Sequence, residues 1–166
     1  MERVDKNNYY LDIAEAVIER GTCLRRISAA IIVKNDEIIA TGYNGAPRGR
    51  KNCSDFNYCV REELKISSGE RYELCRSVHA EQNAIISASR RDMIGSTLYL
   101  VTKSMSDGSL VEDTKPCSIC ERMIINAGIK NVIIRNTSTE YTVIDVSEYI
   151  INDETLDIIK KTLKLQ

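Results

Sequence analysis

The stretch VHAEQNAI, Val78 to Ile85, holds the only histidine of a 166-residue chain, and Glu81 follows His79 two positions later. His79 to Arg90 reads as a helix, and the segments around it alternate in type. Upstream, the β-branched runs ISAAIIVK (27–34) and EIIATGY (37–43) flank Asn35 and Asp36, which reads as two antiparallel strands joined by a tight turn. Downstream, STLYLVT (96–102) reads as a strand, Cys117 to Ala127 as a helix stopped by Gly128, and NVIIR (131–135) as another strand. Strands alternating with helices predict an α/β domain. A first helix over Asn8 to Arg20 buries Leu11, Ala14, Val17 and Ile18, with Gly21 as its stop. YTVIDV (141–146) is expected as a fifth strand, and Asp153 to Leu163 as a closing helix with Ile158 and Ile159 turned inward. No repeat or linker divides the chain, so residues 1–166 are expected to form one domain.

The segment from Asn44 to Ser77 is rich in Gly, Pro, Ser, Asn and charge, with one short helical stretch around Tyr58 to Ile66. It is too long for an idle loop in a compact domain and is expected to carry function or a local staple. Ser104 to Thr114 reads as a hairpin excursion about Asp107 and Gly108.

With 23 basic and 24 acidic residues the net charge is −1. No global positive field draws such a chain to nucleic acid or anionic lipid, and a small partner is expected instead. No apolar run reaches the roughly 20 residues of a membrane span, and the polar start lacks the apolar middle of a secretion signal, so a cytoplasmic location is expected. In a reducing compartment the six cysteines read as metal ligands or catalytic groups rather than disulfides.

A site emerges when HAE (79–81) is set beside PCSIC (116–120). Cys117 and Cys120 stand one helical turn apart at the start of one helix, as His79 does at the start of another, so two thiolates and an imidazole converge. Three protein ligands on tetrahedral zinc leave a position for water, which distinguishes a catalytic site from a closed structural one. Bound zinc lowers the pKa of its water from ~16 to about 7, and Glu81 on the same first turn is the candidate proton carrier. H-x-E with P-C-x-x-C is the signature of the zinc deaminases, which remove an exocyclic amine from a nucleobase. Either half alone is weak, since a lone histidine is usually a core or surface residue and a lone C-x-x-C fits a redox pair or a structural knuckle.

GYNGAPRG, LCRSVHAEQNAI, TLYLVT, PCSIC and MIINAGIKNVII together resemble the deoxycytidylate (dCMP) deaminase family of the cytidine deaminase-like superfamily, over about Asn8 to Arg135. The resemblance implies a three-layer α/β/α domain around a mixed sheet and the reaction of dCMP with water to give dUMP and ammonia. It implies His79, Cys117 and Cys120 as zinc ligands, Glu81 as proton shuttle, Asn44 as a contact to the sugar and the Ala80 amide as a contact to the pyrimidine carbonyl. Members of the family include dCTP-activated and dTTP-inhibited enzymes, often hexameric, so these effectors and a homo-oligomer, hexamer or dimer, belong to the expectation. The Ser104 to Thr114 segment is longer than the family's usual connection.

A monophosphate substrate requires a cationic clamp, for which Arg25, Arg26 and Arg48 are candidates; for each, the plain alternative is a solvated arginine. Relatives that hold a second zinc do so with residues at the places of Cys23 and Cys53 plus histidines absent here. Cys59 and Cys75 could replace those histidines in a closed four-thiolate site, or all four are small buried thiols. Rival readings are a deaminase of cytidine, guanine or tRNA adenosine, and a zinc-stabilised nucleotide-binding protein without turnover. One Phe and no Trp for base stacking argue against an RNA substrate.

Overall fold

The computed structural model describes residues 3–163. Its frame is a mixed sheet in the order β2-β1-β3-β4-β5, formed by β1 (Arg26–Lys34), β2 (Glu37–Tyr43), β3 (Thr97–Ser104), β4 (Asn131–Arg135) and β5 (Tyr141–Asp145). Helices α1 (Lys6–Ile18), α2 (Cys53–Phe56), α3 (Val60–Glu63), α4 (Ala80–Ile86), α5 (Arg90–Met93), α6 (Ser118–Ala127), α7 (Ser147–Ile151) and α8 (Glu154–Leu163), with a 3-10 turn at Tyr72–Leu74, complete the described elements. Asn35 and Asp36 both take positive φ, 50° and 64°, the conformation a two-residue hairpin turn requires. β1 then pairs antiparallel with β3 from Arg26 opposite Ser104 to Val33 opposite Thr97. β3 and β4 run parallel, so the chain must cross over between them, and α6 lies in that crossover.

Alternation along the strands builds a core on each face. Ala30, Ile32, Leu98, Leu100, Val132 and Ile134 pack with Ala80, Ala84, Ile124 and Ala127 of α4 and α6. On the other face Ala29, Ile31, Tyr99 and Val101 pack with Leu11, Ala14 and Ile18 of α1. The three-layer α/β/α arrangement expected from the sequence is therefore present. Helix α1 starts at Lys6, earlier than its apolar spacing suggests, because the Asp5 carboxylate accepts from Asn7 N and Asn8 N at 3.0 and 3.1 Å. Arg135, fully buried at the end of β4, ties the sheet to α1: it pairs with Asp12, lies 3.3 Å from Glu15 and donates to Asn8 Oδ1 at 2.7 Å.

Two expectations need correction. The segment His79 to Arg90 is two helices, since α4 ends at Ile86 and the Ser89 hydroxyl caps α5 by accepting from Asp92 N at 3.2 Å. The closing helix α8 forms, but Ile158 and Ile159 face outward, 64% and 43% exposed, and none of its residues is buried. Its apolar stripe has no partner among the described residues. No described helix is long and apolar enough to cross a membrane.

The layer that carries α4 depends on Gly42 in β2. A Cβ at Gly42 would fall onto the Ala80 carbonyl oxygen and the Ala84 amide nitrogen, backbone atoms that cannot swing aside. The same contact is pinned by Asn83 Nδ2, which donates to the Tyr43 carbonyl at 2.8 Å. Gly42→Ala should cost about 1–3 kcal/mol as an overpacked contact, lowering Tm by several degrees at about 2–4 °C per kcal/mol. Because α4 carries His79, metal content should fall with it. Calorimetry with metal analysis checks both, and an unchanged Tm would contradict the contact.

Candidate active site

His79 is the residue just before α4, in extended conformation, and its backbone N–H donates to Gln82 Oε1 at 2.9 Å. Cys117 precedes α6 in the same way, with Cys120 one turn further and fully buried. The two helix starts meet: His79 Nδ1 lies 3.5 Å from Cys117 Sγ and 3.4 Å from Cys120 Sγ, and the three donor atoms lie within 4.8 Å of one another. Tetrahedral zinc with Zn–S near 2.3 Å and Zn–N near 2.0–2.1 Å has N-to-S edges of about 3.6 Å. The trio fits that ion, and no other group of three such donors is this close among the described residues. Three side-chain donors is the count of a catalytic rather than a closed zinc site.

Electrostatics couple the three donors to one another. The Cys120 thiol, and after it His79, holds Cys117 down to about 4 against the effect of burial. The Cys117 sulfur and burial push Cys120 up, so the pair shares a single proton before metal enters. The Cys117 sulfur raises His79. Glu81 is buried beside them, and desolvation raises its carboxyl. A buried carboxyl next to three such donors is the equipment of acid–base chemistry.

The trio opens onto a cleft of about 180 Å³ lined by His79, Ala80, Glu81, Cys117 and Asn44. Asn44 is buried with both ends of its amide engaged: Oδ1 accepts from Ser28 N at 2.9 Å and Nδ2 donates to the Arg26 carbonyl at 2.8 Å. It braces the start of β1, and one N–H and one lone pair remain for a ligand. Arg25 and Arg26 reach the cleft, whereas Arg48 is exposed and does not line it. Arg25 Nε is 3.8 Å from Glu62. The excursion after β3 folds back as expected, with Ser104 N donating to the Ser109 carbonyl at 2.9 Å and Val111 N to the Thr102 carbonyl at 2.9 Å. It returns Thr114 and Lys115 to the cleft wall.

Among the lining residues that escaped the sequence reading, Tyr72 and Arg61 join the imidazole of His79 in a chain of contacts. Tyr72 meets the His79 imidazole edge-on at 4.8 Å, and the Arg61 guanidinium carbon lies over the Tyr72 ring at 4.5 Å. In sequence, Arg61 sits in VREE, a stretch that reads as a solvated helix face. Only the folding of the long loop, whose base is closed by paired hydrogen bonds between Gly45 and Val78 at 3.2 and 2.8 Å, brings it inside.

All six cysteines are free thiols. Burial first, and then the neighbouring thiols of Cys23, Cys59 and Cys75, raise Cys53, so the three loop cysteines gather near Cys23, which precedes β1. They do not form the close donor group that His79, Cys117 and Cys120 do. Replacing Cys117 with alanine leaves two donors at the trio. Plasma emission analysis should find one equivalent of zinc fewer than in the parent, and full retention would rule the trio out as a metal site.

Residues 4–136 match the family described as the cytidine and deoxycytidylate deaminase zinc-binding region. A deoxycytidylate deaminase of Mycobacterium phage D29 is 36% identical over 137 residues, covering 80% of this chain and 96% of the phage protein. One from Schizosaccharomyces pombe is 33% identical over 127 residues, 76% of this chain. The chain spans only 36% of that yeast protein's length. Among solved structures, the dCMP deaminase of cyanophage S-TIM5 in complex with dCMP and dUMP superposes with a TM-score of 0.56 at 28% identity, over 82% of this chain and 85% of the phage chain.

Proposed function

The chain belongs to the cytidine and deoxycytidylate deaminase family, and we propose that it converts dCMP and water to dUMP and ammonia. The observation that carries this reading is the convergence of His79, Cys117 and Cys120 beside the buried carboxyl of Glu81 in one cleft. Zinc held by the three donors would supply a Lewis acid that makes a water proton removable near neutral pH. Glu81 would take one proton from that water and hand it to the pyrimidine ring nitrogen as the C4–O bond forms; it would then take the proton of the new C4 hydroxyl and give it to the amine, which leaves as ammonia when the C4–N bond breaks. Its burial keeps the carboxyl out of bulk water, so each proton it takes up is passed to the substrate. The Ala80 amide, at the first turn of α4, would donate to the pyrimidine carbonyl. The remaining N–H and lone pair of Asn44 suit a sugar hydroxyl.

A substrate panel of dCMP, CMP, deoxycytidine, dCTP and guanine, followed by ultraviolet absorbance, separates this reading from other amine-bearing substrates. Release of ammonia from dCMP ahead of the others is the expected result. Glu81→Gln should lower the rate by at least ~100-fold, the size of a general acid–base contribution, while zinc content stays that of the parent. A protein that binds dCMP without wild-type ammonia release would instead be the non-catalytic binder.

A second zinc held by Cys23, Cys53, Cys59 and Cys75 is part of the same proposal, and the gathering of those thiols supports it. It would order the long polar loop that builds one wall of the cleft. Two zinc per chain, falling to one in Cys53→Ala, is the expected analysis; one per chain in the parent overturns it. Assembly into a homo-oligomer, a dimer or hexamer, and control by dCTP and dTTP extend the proposal. Outward-facing Ile150, Ile151, Ile158 and Leu163 on α7 and α8 are surface that assembly would cover.

A further inference from the structure

Among the Asp, Glu, Lys and Arg side chains of the described residues, three are buried: Glu81, Arg135 and Arg61. Glu81 is uncharged when it carries its proton, and Arg135 meets the carboxylates of Asp12 and Glu15. Arg61 has neither relief. It is 7% exposed, and among the described residues no carboxylate lies within salt-bridge reach of it. Its Nη2 donates to the Ser67 carbonyl at 2.8 Å, its plane rests on the Tyr72 ring, and its buried Nε has no partner. A buried cation with a free donor costs several kcal/mol unless an anion completes it.

Position indicates which anion. Arg61 lines the cleft, and its guanidinium and the imidazole of His79 both contact the Tyr72 ring. A nucleoside monophosphate carries its amine and its phosphate at opposite ends, so a cation that serves the phosphate must stand apart from the metal-facing end while sharing its cleft. Arg25 is turned toward Glu62, and Arg26 and Lys115 are exposed, so Arg61 is the cleft's one fixed, desolvated cation among the described residues.

We propose that Arg61 is the specificity-determining residue that receives the 5′-phosphate of the substrate nucleotide, through the guanidinium held on Tyr72. This rests on the dCMP reading above. The planar fork offers the phosphate oxygens a charge-assisted contact in a site water reaches poorly, which makes it selective for nucleotide over nucleoside.

The test is calorimetric titration of the zinc-loaded full chain with dUMP and with deoxyuridine, alongside turnover of dCMP and deoxycytidine. Loss of one charge-assisted contact should cut the dUMP-to-deoxyuridine affinity ratio about 10- to 100-fold in Arg61→Gln. Arg61→Lys, which keeps charge and stem but not the fork, should fall between that variant and the parent, and it decides the matter if Arg61→Gln does not fold. An unchanged ratio in both variants, or a loss of zinc with the ratio intact, overturns the assignment and makes Arg61 a support of the thiolate region. A parent that neither binds dUMP nor turns over dCMP overturns the functional reading itself. A parent active on dCMP whose ratio ignores Arg61 overturns this inference alone.

Discussion

Helix α4 lies so near strand β2 that the Ala80 carbonyl and the Ala84 amide occupy the room a side chain at Gly42 would need. Glycine is required there for space rather than for backbone conformation. Because the glycine lets the helix settle this deep on the sheet, its first residues reach the depth at which His79 faces the start of α6. Helix α6 is fixed in turn by the parallel pairing of β3 and β4, which forces the crossover it belongs to. Two independent constraints, one steric and one topological, thus bring an imidazole from one helix start to two sulfurs at another. Neither requires a bound ion to exist, so the donors are preorganised.

Charge follows the same layering. The floor of the cleft holds the carboxyl and the sulfurs, and the cations stand in its walls and rim. Arg135 on the opposite side of the sheet shows what the fold does with an arginine it uses for itself: it surrounds it with Asp12, Glu15 and Asn8. Such a tie between β4 and α1 is costly to break on one side only, since the remaining charge would be stranded in the core.

The sheet and the metal trio were legible in the sequence because both are written locally. β-branched runs bounded by turn residues mark strands, and a C-x-x-C places two sulfurs on one helical turn whatever surrounds it. The break after Ile86 was missed because helical apolar spacing continues across it, and only the Ser89 cap reveals a second start. Helix α8 was misjudged for a related reason: its stripe at 3.6 spacing says that a face is apolar, not that something covers it. Arg61 was invisible because its burial depends on how residues distant in sequence, Ser67 and Tyr72, fold back on it. Asn44 was read as a ligand contact, and it also braces the first strand, a duty that turn chemistry alone does not disclose.

The paired hydrogen bonds between Gly45 and Val78 tie off the long loop at its neck. Everything between those two residues can change in length or composition while the neck keeps its geometry, since doubling a tied-off loop costs only ~0.6 kcal/mol in closure entropy. His79, Cys117, Cys120 and Glu81 sit outside the knot, whereas Arg61 and Tyr72 sit within it. On the proposed assignments the architecture separates the machinery of bond breaking from the part that reads what is bound to the pyrimidine. A graft confined to the tied-off segment is then the way to exchange recognition while the reactive groups stay where they stand.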